Sequence, residues 1–366
     1  MGDIGQDTRD EAVRRLAERW LREQAGPGGG FVCSPAGLWL ALTAVAAGAR
    51  GGTAAELRAL LGVADEEAAA VVTEAARAWA RTRALRVATR VWAAVPVRPA
   101  YEQALPDVAF GPPGPGGIDA WVCERTDGLI ERLPLELGDD VALALVNVLA
   151  LKARWETPFD PAATRDLPFT DAKGTSRPVP TMHASLPVVD AWTVEGAYVV
   201  ELRCRTEPGG AAPARVRFVL GEPEADAARV LPAAWAPRER RTPVDADRVT
   251  VAVPRLTLRT RTEVTAQLPA LGVRRSTDAG AADFSGLSPQ PVYLSDVVQE
   301  AVVKIAEEGV EAAAVTVVAM RAVSMPRPRT VRHIAFDRPF GVVVLDGTSD
   351  VPLFAGWQAG TPAHED

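Results

Sequence analysis

Residue types that perform enzyme chemistry are few in this chain, and they do not form a recognisable set. The chain has three histidines, His183, His333 and His364. No pattern places any of them beside a serine nucleophile or within a set of metal ligands. The sequence also has no phosphate-binding loop, no G-x-S-x-G nucleophile elbow and no H-E-x-x-H helix. We therefore expect a protein that is not an enzyme and that has no catalytic residue, metal or cofactor.

Residues 307–330 combine conflicting local preferences. Glu and Ala, which favour helix, dominate up to residue 314, and a Val-Thr-Val-Val run that favours strand follows. If the segment is a strand, one face carries only uncharged and mostly small side chains, namely Val310, Ala312, Ala314, Thr316, Val318, Met320 and Ala322. The opposite face carries Glu311 and Arg321, and the first proline is Pro326. This pattern fits a strand that can enter a sheet, an ordinary amphipathic strand, or a surface helix that ends at Pro326.

The early elements that must position this segment are helical. Asp7 or Thr8 can cap a first helix, whose apolar stripe is Val13, Leu16, Trp20 and Leu21. Ser34 is a good N-cap for a second helix with Pro35 at its first position, and this helix is apolar on nearly all sides. Thr53 and Glu56 have the spacing of a capping box for a third helix. Later helices are predicted at 118–133 and 263–271.

Strands dominate the later part of the chain. The run 141–151 is apolar apart from Asn147, which predicts a central strand buried on both faces. Further strands are predicted at 86–95, 194–202, 216–220 and 249–258, and a C-terminal pair at 341–345 and 352–356 turns through Gly347. Because helices come early and strands late, the predicted class is α+β.

Composition excludes several classes of protein. The 366 residues carry a net charge of −7, which argues against a partner such as a nucleic acid. The longest apolar run, 38–47, is about half of a membrane span. Residues 1–22 are charged throughout and resemble no signal peptide, so a cytoplasmic location is favoured. The cysteines are odd in number without zinc-type spacing, which indicates reduced, structural thiols.

Five groups of motifs occur in order along the chain. They are Ser34-Pro35 with 48–53, Ile118-Asp119-Ala120-Trp121-Val122, Val146-Asn147 with Lys152, Trp155 and Phe159, the run EEGVEAAA from Glu307 to Ala314, and Phe336-Asp337-Arg338-Pro339-Phe340 with Leu353-Phe354-Ala355-Gly356. The run from Glu307 to Ala314 is similar to the hinge of the serpin reactive-centre loop, and the other motifs resemble serpin motifs in the family order between about residues 31 and 362. Together they resemble the serpin family, and we expect a bacterial member.

The resemblance implies a single serpin domain over residues 1–366, with a polar tail at about 361–366. Helices would pack around a large mixed main β-sheet and smaller sheets, with an exposed reactive-centre loop at about 307–330. The implied function is a suicide substrate: a serine protease cuts the loop and forms a covalent acyl-enzyme, and the cut loop inserts into the main sheet of a metastable fold. The implied state is a monomer that can form loop–sheet polymers. Serpins work inside and outside cells, so an extracellular location stays open.

The resemblance also assigns site residues. The implied hinge comprises Glu307, Glu308, Gly309, Val310, Glu311, Ala312, Ala313, Ala314, Val315 and Thr316. The implied region of sheet opening contains Ser34, Asn147, Trp155, Arg255 and Gln299. We expect an ion pair between Arg255 and Glu307, and a hydrogen bond from Gln299, where many members have His, to Asn147. Val310 stands where the family often has Thr. No basic helix is evident at 62–86, so we expect no heparin-type cofactor.

The family spacing from Gly309 places the reactive bond at Val323-Ser324. Val suits elastase-like proteases, and subtilisin-like enzymes are also candidates. The alternative reactive bond is Arg321-Ala322, which would suit trypsin-like enzymes. Two other functions remain open, a non-inhibitory serpin that acts as a binding protein and a cross-class inhibitor of papain-like cysteine proteases.

Overall fold

Helices lead the chain, and strands make up most of it after residue 143. The computed structural model describes residues 3–24, 29–82, 85–93, 95–111, 117–126, 128, 143–206, 212–310 and 330–363. Within these ranges the α-helices are α1 (Asp3–Gln24), α2 (Pro35–Ala46), α3 (Gly51–Leu61), α4 (Glu66–Ala80), α5 (Pro99–Ala104), α6 (Gly117–Arg125) and α7 (Ala227–Val230). Short 3₁₀ helices cover Pro161–Ala163, Val188–Asp190, Leu231–Trp235, Arg238–Arg240, Val264–Gln267 and Arg275–Thr277.

The strands of the described ranges form four sheets. They are β1 (Phe31–Cys33), β2 (Leu85–Ala93), β3 (Val108–Gly111), β4 (Leu143–Leu151), β5 (Ala153–Arg154), β6 (Arg165–Thr170), β7 (Ser176–Leu186), β8 (Ala191–Val194), β9 (Ala197–Arg203), β10 (Arg215–Leu220), β11 (Thr242–Pro243), β12 (Arg248–Pro254), β13 (Leu256–Glu263), β14 (Val298–Ala306), β15 (Gly309–Val310), β16 (Val331–Ala335), β17 (Phe340–Leu345) and β18 (Pro352–Gln358).

Strand order defines the architecture. The orders are β1-β18-β17-β10-β9-β8-β11, β16-β12-β7-β6, β13-β14-β15-β5 and β3-β2-β4. Pairing is antiparallel except for β12 with β16 and β2 with β3. The predicted α+β class is confirmed, with a large antiparallel sheet beside two smaller mixed sheets and one smaller antiparallel sheet.

Helix α2 lies at the centre of the core, as its apolar sequence predicts. Ser34 caps it, because the Ser34 hydroxyl accepts a hydrogen bond from the Gly37 N–H at 3.1 Å. The same hydroxyl donates to the Leu353 carbonyl at 2.6 Å, which ties the helix start to β18. The Trp39 indole donates to the Leu61 carbonyl at 3.1 Å, joining α2 to α3. An N-cap like that of Ser34 contributes about 1 kcal/mol to the stability of the fold.

Two helix predictions were wrong at their N-termini. The apolar stripe of α1 is buried, as expected, but α1 begins at Asp3, ahead of the predicted cap at Asp7 or Thr8. The capping box of α3 does not form, because α3 begins at Gly51 and its cap has no side-chain hydrogen bond. The carboxylate of Glu56 instead accepts the backbone N–H groups of Arg274 and Arg275 at 2.9 and 2.8 Å.

Several predicted boundaries also change. The run 194–202 is split by a hairpin turn at Glu195 and Gly196, and 249–258 is split at Arg255 into β12 and β13. The helix predicted at 118–133 spans Gly117–Arg125, and the one predicted at 263–271 is only a 3₁₀ turn. No sequence prediction covered α4. Among the described residues, no helix combines the length and apolar character that a membrane span requires.

Candidate functional site

The predicted hinge begins as a tight hairpin between two strands. Strand β14 ends at Ala306, Glu307 and Glu308 form the turn, and β15 returns antiparallel. In this register Ala306 pairs with Gly309, and Ile305 pairs with Val310. The chain therefore reverses direction within two residues, and β15 runs back along β14.

Strand β15 fills a place between two other strands. On one side it pairs with β14, and on the other Gly309 pairs with Arg154 and Val310 with Ala153 of β5. A Cβ atom at position 309 would lie 2.1 Å from the Ala153 carbonyl oxygen, so only glycine fits here. Val310 is 2% exposed, so its apolar side chain is already in the core.

Beyond β15, the two flanking strands belong to different sheets. β4, which precedes β5 in the chain, pairs with β2, whereas β14 pairs with β13 on its far side. Among the described residues no backbone ladder joins β4 directly to β14. A strand that continued from β15 in the same direction would run between them. The predicted hinge residues Glu311, Ala312, Ala313, Ala314, Val315 and Thr316 lie outside the described residues, as do both candidate reactive bonds, Val323-Ser324 and Arg321-Ala322.

The predicted ion pair between Arg255 and Glu307 is present at the hinge turn. Arg255 Nε lies 2.8 and 2.9 Å from the two carboxylate oxygens of Glu307, and Arg255 Nη2 lies 2.6 Å from Oε1. The Thr164 hydroxyl donates to the same Oε1 at 2.6 Å. The Glu307 side chain is 7% exposed and that of Arg255 is 27% exposed, so water screens this pair less than a surface pair.

Burial and hydrogen bonding oppose each other at Glu307. Burial alone raises the pKa of the Glu307 carboxyl, but the hydrogen bonds from Arg255 and Thr164 outweigh it and bring the pKa below its ordinary value. The carboxylate is therefore charged at neutral pH and holds both donors. This arrangement joins the hinge to the junction of β12 and β13 through Arg255 and to the segment before β6 through Thr164.

Trp155 and its neighbour Phe159 hydrogen-bond to the hinge turn. Its indole N–H donates to the Ala306 carbonyl, and its backbone N–H donates to the Glu308 carbonyl, both at 2.9 Å. Phe159 packs edge-on against Trp155 with ring centroids 6.4 Å apart, and its backbone N–H donates to the Glu307 carbonyl at 2.9 Å. The three carbonyls of the turn therefore bond to the segment that follows β5.

Gln299, near the start of β14, makes contacts other than those predicted. Its Oε1 accepts from the Ser34 N–H at 2.6 Å, and its Nε2 donates to the Ser34 carbonyl at 3.0 Å. This pair of bonds ties Gln299 to the main chain ahead of α2, and the expected bond from Gln299 to Asn147 stays a prediction. Asn147 lies on β4 opposite Thr89, and its side chain is outside the described residues.

Sequence reasoning missed Thr164. It lies 143 positions before Glu307, in the loop after the Pro161–Ala163 turn, and no local motif marks it. Arg255 and Trp155, in contrast, were both indicated by the resemblance. Ser34 and Gln299 meet each other, and Trp155, Arg255 and Thr164 surround the hinge turn.

Comparisons with known proteins bear on this site. A family model described as "Serpin (serine protease inhibitor)" matches residues 12–359. Serpin-Z2A of Oryza sativa subsp. japonica is 30% identical over 411 residues, which cover 93% of this chain and 94% of that protein. Serpin B6 of Macaca fascicularis is 28% identical over 250 residues, which cover 65% of this chain and 63% of that protein.

Solved structures share the fold. Human thyroxine-binding globulin complexed with thyroxine has a TM-score of 0.78 at 21% identity, covering 97% of this chain and 98% of that one. The thermophilic serpin tengpin in its native state has a TM-score of 0.77 at 18% identity, covering 97% and 94%. At these identities the likeness concerns the fold alone.

Proposed function

The chain belongs to the serpin family, whose members are mostly protease inhibitors, and on this premise we propose that it inhibits a serine protease as a suicide substrate. In this proposal the partner is an elastase-like or subtilisin-like enzyme, and the chain acts as one domain and as a monomer. The protease would be held as a covalent acyl-enzyme.

The observation that carries the proposal is the position of β15. Gly309 and Val310 already occupy a strand position between β14 and β5, and a strand that continued in the same direction would run between β4 and β14. In the sequence, alternate residues from Val310 to Ala322 are uncharged, so a strand that continued inward would bury no unpaired charge. An unpaired buried charge there would cost several kcal/mol.

The chemistry follows from the proposed reactive bond. The serine Oγ of the protease attacks the carbonyl carbon of Val323, and the Val323–Ser324 amide bond breaks as an ester forms. The Ser324 nitrogen takes up a proton from the protease's general acid and leaves as a free amine. The new end at Val323 is then free to move, and residues after Val310 can add to the sheet and gain ladder hydrogen bonds on both sides.

In this mechanism the hinge contacts would keep the loop from inserting before it is cut. Before cleavage, Arg255, Thr164 and Trp155 hold the turn in place. After cleavage, the same turn is the fixed point from which the strand extends. A charged residue at 310 would prevent this first step, and the buried Val310 favours it.

A binding role without inhibition is the second candidate, because the fold is also that of thyroxine-binding globulin. One experiment separates the two. The full chain is incubated with pancreatic elastase, subtilisin, trypsin and papain, each with its active-site-blocked form as control. A complex that survives SDS, together with a released peptide whose mass begins at Ser324, supports inhibition.

Cleavage by every enzyme without such a complex would instead make the chain a substrate and favour the binding role. A stable complex with papain alone would contradict the serine-protease assignment. A released peptide that begins at Ala322 would move the reactive bond to Arg321.

A further inference from the structure

A cavity of about 760 Å³ lies where three connecting segments meet the end of β18. Its lining comes mainly from the hairpin between β6 and β7, the loop between β10 and α7, and the turn before β17. Hydrogen bonds hold these segments to one another. The Thr170 N–H donates to the Asp337 carbonyl at 2.8 Å, and Arg338 Nη2 donates to the Gly221 carbonyl at 2.9 Å. The cavity is therefore built into the fold, and its volume is that of a small-molecule site.

Carboxylates dominate the charged lining of this cavity. The acidic side chains that line it are Asp171, Glu222, Glu224, Asp226 and Asp337. Its one basic lining residue, Arg338, pairs with Asp337 at 3.1 Å. Within the part of the chain that the structure describes, the other four carboxylates take part in no ion pair. The five carboxylates and one guanidinium leave a net charge of −4, which attracts a cation.

Trp357, on β18, gives the cavity an aromatic wall with a free hydrogen-bond donor. The residue is only 6% exposed, and because it lines the cavity, the accessible part of its ring opens there. No acceptor among the described residues meets its indole N–H. The face of an indole ring attracts an organic ammonium group, and the N–H can donate to an oxygen of the same ligand. Pro168, Pro223 and Pro339 add apolar surface for its carbon skeleton.

The placement of the carboxylates excludes a simple metal site. In the described ranges, no three acidic, histidine or cysteine side chains lie close enough together to hold one metal ion. A ligand that pairs with these carboxylates must therefore carry its positive charges at separate positions. A linear polyamine does so, but its protonated nitrogens are all donors and would leave the indole N–H unpaired. An amino sugar has separate ammonium groups and also hydroxyl oxygens that accept hydrogen bonds.

We propose that this cavity binds an amino sugar that carries several ammonium groups. In the complex, the carboxylates of Asp171, Glu222, Glu224 and Asp226 pair with the ammonium groups, and the Trp357 N–H donates to a hydroxyl oxygen. None of the described hinge residues lines the cavity, so this binding does not depend on protease inhibition.

The test is a calorimetric titration of the full chain with kanamycin at low salt. Spermine is the comparison probe, since it carries equally many amine groups but no hydroxyl. The charge variant is Asp171→Asn with Asp226→Asn. In each case Asn keeps the oxygen that now accepts backbone N–H groups, so the local turns are preserved. Neither residue lines the adjoining cavity of about 300 Å³, which Glu222 and Glu224 also border.

The matched control is Asp160→Asn with Asp278→Asn. Both residues are exposed, both accept a backbone N–H through Oδ1, and neither lines the cavity. We expect the charge variant to bind kanamycin about 10-fold more weakly than the parent, because two exposed ion pairs are lost. The control should stay within about twofold of the parent. If variant and control weaken equally, or if the parent binds no kanamycin, the site is rejected.

Trp357→Phe tests the second half of the proposal, since Phe keeps an aromatic ring and lacks the N–H. It should weaken kanamycin about fivefold, the loss expected for one hydrogen bond, and change spermine by less than about twofold. Because both probes enter the same cavity, a collapsed wall would weaken both. The parent should bind kanamycin more tightly than spermine. If it binds spermine as tightly, the cavity reads charge alone and the amino-sugar assignment is wrong.

Discussion

Replacing Glu307 by Gln removes one negative charge from the hinge turn and almost preserves the shape of the side chain. In the structure this carboxylate receives three contacts from Arg255, at 2.6 to 2.9 Å, and one from Thr164 at 2.6 Å. Glutamine can accept fewer of these bonds and has no charge to offer the guanidinium. The hinge turn should therefore open more often, and β15 should leave its place beside β5 more readily.

The size of the effect follows from the burial of the pair. Exposed ion pairs contribute about 0–1 kcal/mol, and breaking a fully buried pair costs about 3–5 kcal/mol. Glu307 is 7% and Arg255 27% exposed, so this pair lies between these limits, and we expect a loss of about 2 kcal/mol. A change of this size corresponds to about a 30-fold larger population of the open hinge.

Hydrogen exchange measures that population directly. Amides of β14 and β15, from Val298 to Val310, should exchange about 30-fold faster in Glu307→Gln if they exchange through hinge opening. Glu307→Lys brings two cations together, so it should open the hinge further and form polymers on mild heating, which native gels or size exclusion would show.

Glu300→Gln is a control on β14, the strand that leads into the hinge turn. Glu300 is also 7% exposed and pairs with Arg259 at 2.7 Å, but it is remote from the turn. It should lower overall stability without selective exchange at 306–310. If Glu307→Gln exchanges at the hinge no faster than Glu300→Gln, and Glu307→Lys forms no more polymer than the parent, Glu307 does not hold the sheet opening.

Four further outcomes are expected. The folded pKa of Glu307 is below its ordinary value, so its stabilising effect is present above about pH 4.5 and is lost as the pH falls through the lowered pKa. In that acidic range the population of the open hinge, measured by hydrogen exchange, should rise in the parent and stay constant in Glu307→Gln. Gly309→Ala should displace β15, since the new Cβ would overlap a backbone carbonyl of β5, and faster exchange at Val310 with a lower midpoint of thermal unfolding would show it. Ala312→Arg should place a charge on the inserting face and convert inhibition into simple cleavage; undiminished SDS-stable complex would reject insertion. Val323→Arg should move inhibition from elastase-like to trypsin-like enzymes, whereas a cut that appears only after Arg321 would assign the bond there.

Local patterns were sufficient for the parts of the fold that depend on neighbours in the chain. The Ser34 cap and the apolar α2 follow from residues within a few positions of each other, and so does the C-terminal strand pair. The capping box of α3 does not form because α3 begins at Gly51, and Glu56 instead accepts from N–H groups more than 200 residues away, those of Arg274 and Arg275. Propensity cannot anticipate such a competitor, since it weighs only nearby residues.

At the hinge, the sequence by itself determined what kind of strand this segment can be. The glycine at 309 and the uncharged alternate positions after it are properties of the residues themselves. The tertiary structure alone decided where that strand begins, because Arg255, Thr164 and Trp155 reach one turn from three separate segments. Side-chain contacts over such sequence distances exist only once the sheets have packed, and so it is the packing that fixes the turn from which β15 starts.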